Sequence, residues 1–103
     1  MIKINLIVET FVESNRTRLR ALPGQGVDVS VRFSFSLYFR ERYPVGTLFE
    51  VWARWVVPTH IKPYLRVERN EIIPITPARA RELATSASGR GHRSLSAALL
   101  SRT

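Results

Sequence analysis

A period of two in the apolar residues, repeated from the start of the chain to about residue 75, restricts this sequence more than any other feature. Ile2, Ile4, Leu6 and Val8 alternate with Lys3, Asn5 and Glu9, with only Ile7 breaking the polar series. Successive side chains of an extended strand point to opposite faces, so this spacing predicts a strand with one buried face, which Phe11 and Val12 extend. The longest run lies in the middle. Val27, Val29, Val31, Phe33, Phe35, Leu37 and Phe39 fill the odd positions, and Asp28, Ser30, Arg32, Ser34, Ser36, Tyr38 and Arg40 the even ones. Unbroken alternation rich in β-branched and aromatic residues predicts one long strand over 27–39, strongly bent because it exceeds the usual five or six residues.

Punctuation separates the runs. Glu13-Ser14-Asn15 reads as a turn; residues 16–22 are ambiguous in pattern, and read as a strand they put Leu19 and Ala21 on one face and Arg16, Arg18 and Arg20 on the other. Pro23-Gly24-Gln25-Gly26 is a second turn, since proline presets φ and glycine accepts positive φ. Residues 40–47 read as a charged loop with a type I turn placing Pro44 second and Gly46 fourth. The strand over 48–57 is expected to turn Phe49, Val51, Ala53, Trp55 and Val57 inward and Trp52 and Arg54 outward. Prolines bracket a loop at 58–63. A strand over 64–69 carries Leu65 and Val67 inward, Asn70-Glu71 turns, and residues 72–75 form a short strand placed at a sheet edge by Pro74.

The pattern then changes. Thr76 suits a helix N-cap, Pro77 suits the first turn, and Ala80, Leu83, Ala84 and Ala87 recur at helical spacing. Residues 88–93 read as a flexible linker and 94–99 as a last short helix. The expected fold is mainly β. Five to six antiparallel strands in meander order form a small barrel or strongly curved sheet, followed by a C-terminal helix. Residues 1–76 make the β domain and residues 77–103 a basic helical tail docked on it.

Composition narrows the function classes. At 103 residues the chain holds one core and no more. Without cysteine there is no disulfide framework, thiolate metal site or cysteine nucleophile. The absence of an 18-residue apolar run and of a continuous apolar leader leads to the expectation of a soluble, cytoplasmic protein with no membrane partner. Sixteen basic residues, fourteen of them arginine, face eight acidic ones, for a net charge of +8. Residues 1–75 and 76–103 each carry half of that excess, so the shorter tail is the more densely basic. Arginine's planar fork pairs with phosphates and stacks on aromatic rings, which directs attention to nucleic acid and, next, to an acidic protein surface.

Catalytic signatures are absent: no phosphate-binding glycine loop, no nucleophile elbow, and only two histidines, His60 and His92. No metal or cofactor is expected. The site anticipated from parity is a stacking platform in a positive field. Tyr38, Trp52 and Tyr64 would stack on bases while Arg32, Arg40, Arg54 and Arg66 follow phosphates, and Arg16, Arg18 and Arg20 extend the field. The competing expectation is that the C-terminal helix covers these rings as a second small core. The leading function is thus a small, basic, non-catalytic module for single-stranded nucleic acid or RNA, with low sequence specificity. Second stands an interaction or inhibitor protein of the phage or plasmid accessory type, docking on an acidic protein surface or associating with itself. A small ribonuclease or toxin, using His60 with Glu50 or Glu68 and Arg54 or Arg66, comes third.

Overall fold

A computed structural model describes residues 2–86. It contains β1 (Ile4–Glu13), β2 (Arg16–Ala21), β3 (Phe33–Ser34), α1 (Leu37–Arg42), β4 (Leu48–Val56), β5 (Tyr64–Ile75) and α2 (Pro77–Ser86). Ala87, the linker expected at 88–93 and the short helix expected at 94–99 lie outside the described residues.

The five strands form one sheet in the order β2-β1-β4-β5-β3, and β3 returns towards β2, so the sheet curls nearly into a barrel. The barrel-like β class is as expected; the antiparallel meander is not. β1–β2, β1–β4 and β4–β5 are antiparallel, but β3 runs parallel to β5 on the far side of the sheet from β2.

The cause is the middle segment. Residues 27–39 do not form one strand, because their small polar residues bond to the local backbone and close turns and a helix cap. Asp28 accepts from the Ser30 backbone N–H (2.8 Å) and hydroxyl (2.6 Å), and the Val31 N–H closes a turn on the Asp28 carbonyl (3.1 Å). Ser36 then accepts from the Tyr38 N–H (3.2 Å) and caps α1. Such side chains offer the backbone an alternative to the ladder, and here that alternative wins. Only Phe33 and Ser34 remain extended. Phe33, Phe35 and Phe39 nonetheless reach the core, so the alternation identified the buried rings while misidentifying the element.

The hairpin and turns follow local chemistry. Ser14 (φ 51°) and Asn15 (φ 63°) both take the left-handed conformation that a two-residue hairpin with native twist requires. The turn after α1 is shifted by one residue from expectation. The Thr47 N–H bonds to the Pro44 carbonyl (3.2 Å), so Gly46 (φ 93°) is third and supplies the positive φ of a type II turn. Gln25 substitutes for a strand partner beyond the end of β2. Its side-chain carbonyl accepts from the Ile7 N–H (2.8 Å), and its amide donates to the Ile7 carbonyl (2.8 Å) and the Leu22 carbonyl (2.9 Å).

β5 is continuous through the turn expected at Asn70-Glu71. Val51 faces Ile72 and Ala53 faces Val67, so residues 68–71 bulge opposite the single residue Trp52. Pro74 is tolerated although β5 lies inside the sheet, because β3 pairs only with Leu65 and Arg66 and leaves the strand's other side free at Pro74. Phe49, Val51 and Ala53 are buried as expected, whereas Trp55 (43% exposed) and Val57 are not. Trp55 faces the same way as its fully buried cross-strand partner Leu65, but it stands at the end of the barrel where the core stops. α2 starts as expected, with Thr76 Oγ1 accepting from the Arg79 N–H (3.1 Å). Ala80 and Ala84 pack with Ile7, Leu22 and Leu48 in a second small cluster on the outer face of the sheet.

Candidate nucleic-acid interface

Sheet register determines which anticipated residues meet. Trp52, Arg54, Tyr64 and Arg66 share the outer face of the β4–β5 hairpin, opposite the side occupied by Val51, Ala53, Leu65 and Val67. Arg54 and Arg66 are direct cross-strand partners. Like charges in that position destabilise a sheet. Arg66 is offset by Glu68 (Nε–Oε1 3.0 Å), while half-buried Arg54 has no carboxylate in ion-pair range among the described residues. Trp52 is half-buried, faced by Asn5 on β1 and by the β5 bulge. The cluster beneath α2 is built from Ile7, Leu22, Leu48, Ala80 and Ala84 and does not include this ring.

Arg32 joins this face to a second one. Its carbonyl accepts from the Leu65 N–H (2.9 Å), which sets it beside the Tyr64–Leu65 end of β5. Arg32 also lines a cleft of about 350 Å³ where the curled sheet fails to close. Phe11, Glu13, Arg18, Leu19 and Arg20 form one wall of it, and residues 29–33 the other. The Arg20 guanidinium lies over the Phe11 ring at 4.5 Å and its Nε donates to Glu9 (2.8 Å). Arg18 lies 3.0 Å from a Glu13 oxygen, close enough for an ion pair but off-line for a hydrogen bond, so its buried Nε–H lacks an acceptor. Phe11 was missed from sequence. Its signal was the odd-numbered, outward parity of β1 beside the arginines of β2.

Arg18, Arg20, Arg32, Arg66 and Arg54 thus follow one another around the outside of the barrel. Glu13, Glu9 and Glu68 offset three of them. Arg32, Arg54 and the neighbouring Arg16 have no carboxylate in ion-pair range among the described residues.

The Tyr38 ring is not grouped with this surface. Tyr38 and Arg40 both belong to α1, and the Arg40 side chain is outside the described set. Tyr38 is 41% exposed, and its ring carries the Arg42 and Arg69 guanidiniums, each 5.0 Å from the centroid. Neither arginine was singled out from sequence, since α1 and the bulge that bring them together were not foreseen.

The residues of the ribonuclease alternative are placed as follows. His60 is exposed in the β4–β5 connection, Glu50 accepts from the Asn5 amide (3.1 Å) and Glu68 pairs with Arg66. No group of three or more metal-ligating side chains occurs among the described residues, nor any helix long and apolar enough to cross a membrane. The exposed Asp28 carboxyl is held below its ordinary value by the Ser30 hydroxyl and backbone N–H. Compared with protein-family models, curated proteins and solved structures, the chain matches none.

Proposed function

We propose that this protein is a non-catalytic module that binds single-stranded nucleic acid around the outside of its barrel. The observation that carries the reading is the cleft at the barrel seam. Its volume suits a nucleotide-sized group, it joins Phe11 to three arginines, and Arg32 connects it to the Arg66–Arg54 pair. Base stacking on Trp52, on Tyr64 and on the Arg20 guanidinium plane that lies over Phe11 would supply sequence-tolerant affinity of about 1–3 kcal/mol per base, and the other arginines would follow phosphates. A bound phosphate near Arg54 would also relieve its repulsion with Arg66.

Fluorescence anisotropy with labelled single-stranded DNA and RNA tests this across a salt series. The expected logarithmic affinity falls linearly with logarithmic salt, and each lost phosphate contact reduces the slope by roughly 0.7. Arg32→Gln and Arg54→Gln should each do so. Absence of binding at low ionic strength overturns the proposal.

A second reading, protein docking, is favoured by a different observation. Trp55, Val57 and Ile61 are exposed together around the end of β4 and the connection that follows. An acidic protein surface, or a second copy of the chain, is the partner class. Concentration-dependent sedimentation that Trp55→Ser abolishes supports self-association; a complex with an acidic protein that resists nuclease supports the other form.

A further inference from the structure

We propose that Arg42 and Arg69, gathered on the Tyr38 ring, form a phosphate-binding clip separate from the cleft and its belt of arginines. The site goes beyond the nucleic-acid reading, because its chemistry is that of the phosphate group itself. α1 supplies Tyr38 and Arg42, and the β5 bulge supplies Arg69. Both guanidiniums stand 5.0 Å from the same ring centroid, so they are at most twice that distance apart. A ring face attracts a cation, but it does not neutralise one. Two guanidiniums on one ring therefore leave two positive charges on exposed residues within reach of the same ring.

The neighbouring carboxylates do not offset them. In the bulge, Glu68 is committed to Arg66 and Glu71 to Lys3. Glu41, beside Arg42 on α1, is exposed and makes no ion pair among the described residues. The two carboxylates that flank Arg69 in sequence are thus drawn towards other cations. Tyr38 is itself fixed from below, in edge contact with core residue Phe39 at 5.1 Å between centroids. An oxyanion with several acceptor oxygens matches two guanidinium forks, and arginine engages phosphate through paired, charge-assisted hydrogen bonds.

The source of the phosphate is either the free ion or a nucleic-acid strand that extends past the belt. NMR titration of the full chain with inorganic phosphate, following arginine Nε–Hε signals, tests the site directly. Saturable shifts concentrated on Arg42 and Arg69, and lost in Arg69→Gln, support the clip. Shifts spread evenly over all arginines, or unchanged in Arg69→Gln, overturn it. Tyr38→Phe keeps the ring and should retain the response, whereas Tyr38→Leu should weaken it several-fold. Labelled oligonucleotides with and without a 5′-phosphate form the second arm. A preference for the phosphorylated strand that Arg69→Gln removes assigns the clip to strand ends. Localised phosphate shifts without any oligonucleotide binding support the clip and defeat the nucleic-acid reading; oligonucleotide binding without localised phosphate shifts does the reverse.

Discussion

Replacing Thr10 by valine isolates one hydroxyl that ties β1 to the turn before β4. Thr10 is 2% exposed and points to the inner side of the sheet, so valine fills the same space. Its hydroxyl accepts from the Gly46 N–H (3.0 Å) and donates to the Pro44 carbonyl (3.2 Å). Two intramolecular hydrogen bonds contribute about 1 kcal/mol each. Neither partner would be orphaned. The Gly46 N–H keeps the Thr10 carbonyl (3.0 Å), and the Pro44 carbonyl keeps the Thr47 N–H (3.2 Å) and hydroxyl (2.6 Å). The desolvation penalty of an unpaired buried group is therefore avoided, and the added methyl returns about 0.8 kcal/mol of apolar burial. The expected loss is about 1 kcal/mol, or roughly 4–8 °C in Tm for a domain of this size. Urea unfolding monitored by tryptophan fluorescence should show a lower midpoint with an unchanged slope. A midpoint equal to or above that of the parent would refute the argument that this hydroxyl holds the turn. A loss beyond about 3 kcal/mol would refute the claim that both partners retain alternatives.

Gly46→Ala should cost about 1–2 kcal/mol through backbone conformation alone, because nothing lies within 4 Å of the added Cβ while φ is +93°; thermal unfolding measures it. Gln25→Ala removes three hydrogen bonds at the end of β2 and is expected to lose about 1–3 kcal/mol, with faster amide exchange at Ile7 than elsewhere in β1. Ala80→Leu should destabilise by about 1–3 kcal/mol in urea unfolding, since Ala80 has no exposed surface and the helix would have to lift away from Leu48. In an NMR pH titration, the Asp28 carboxyl should have its midpoint below the ordinary 3.8, and Ser30→Ala should move it back up. Because the folded value is depressed, the associated stability is present above 3.8 and lost as pH falls through the folded midpoint.

The parts of the fold readable in advance were those where one physical pressure dominates. Apolar parity found the buried faces of β1, β4 and β5, since a half-buried strand cannot shift by one residue without exposing its whole core set. Ser14-Asn15 and Thr76-Pro77 gave their positions away through local backbone chemistry. Residues 27–39 misled because two pressures coincided. Their rings do face the core, but serines and an aspartate at every other position also make turns and caps, and composition alone does not rank those against a ladder. That misreading removed Tyr38 from the expected platform. Trp55 was misjudged for another reason: parity gives the direction of a side chain and not the point along the strand at which the core ends. The outer face of Trp52, Arg54, Tyr64 and Arg66 was legible because it needed only parity and a hairpin. The seam cleft was not, since it depends on where the sheet fails to close.

The distribution of charge separates what holds this barrel together from what its surface offers. The core is built from apolar side chains, with Thr10 and Glu9 the polar exceptions among buried residues. Five carboxylates are engaged by cations in exposed or part-exposed pairs, which as a class contribute little to stability. Removing the remaining arginines would therefore cost the fold little and would reduce repulsion between like charges. Arg16, Arg32, Arg42, Arg54 and Arg69 have no carboxylate in ion-pair range among the described residues, yet they concentrate on the belt and beside Tyr38. Ion pairing within the fold does not account for that placement, and it is on this that the proposed anionic partner rests. Glutamine substitutions at Arg32 and Arg54 provide the decisive contrast: unfolding should be unchanged or slightly harder while oligonucleotide affinity falls. If stability falls with affinity, these arginines are part of the fold's own support, and the electrostatic case for an anionic partner is lost.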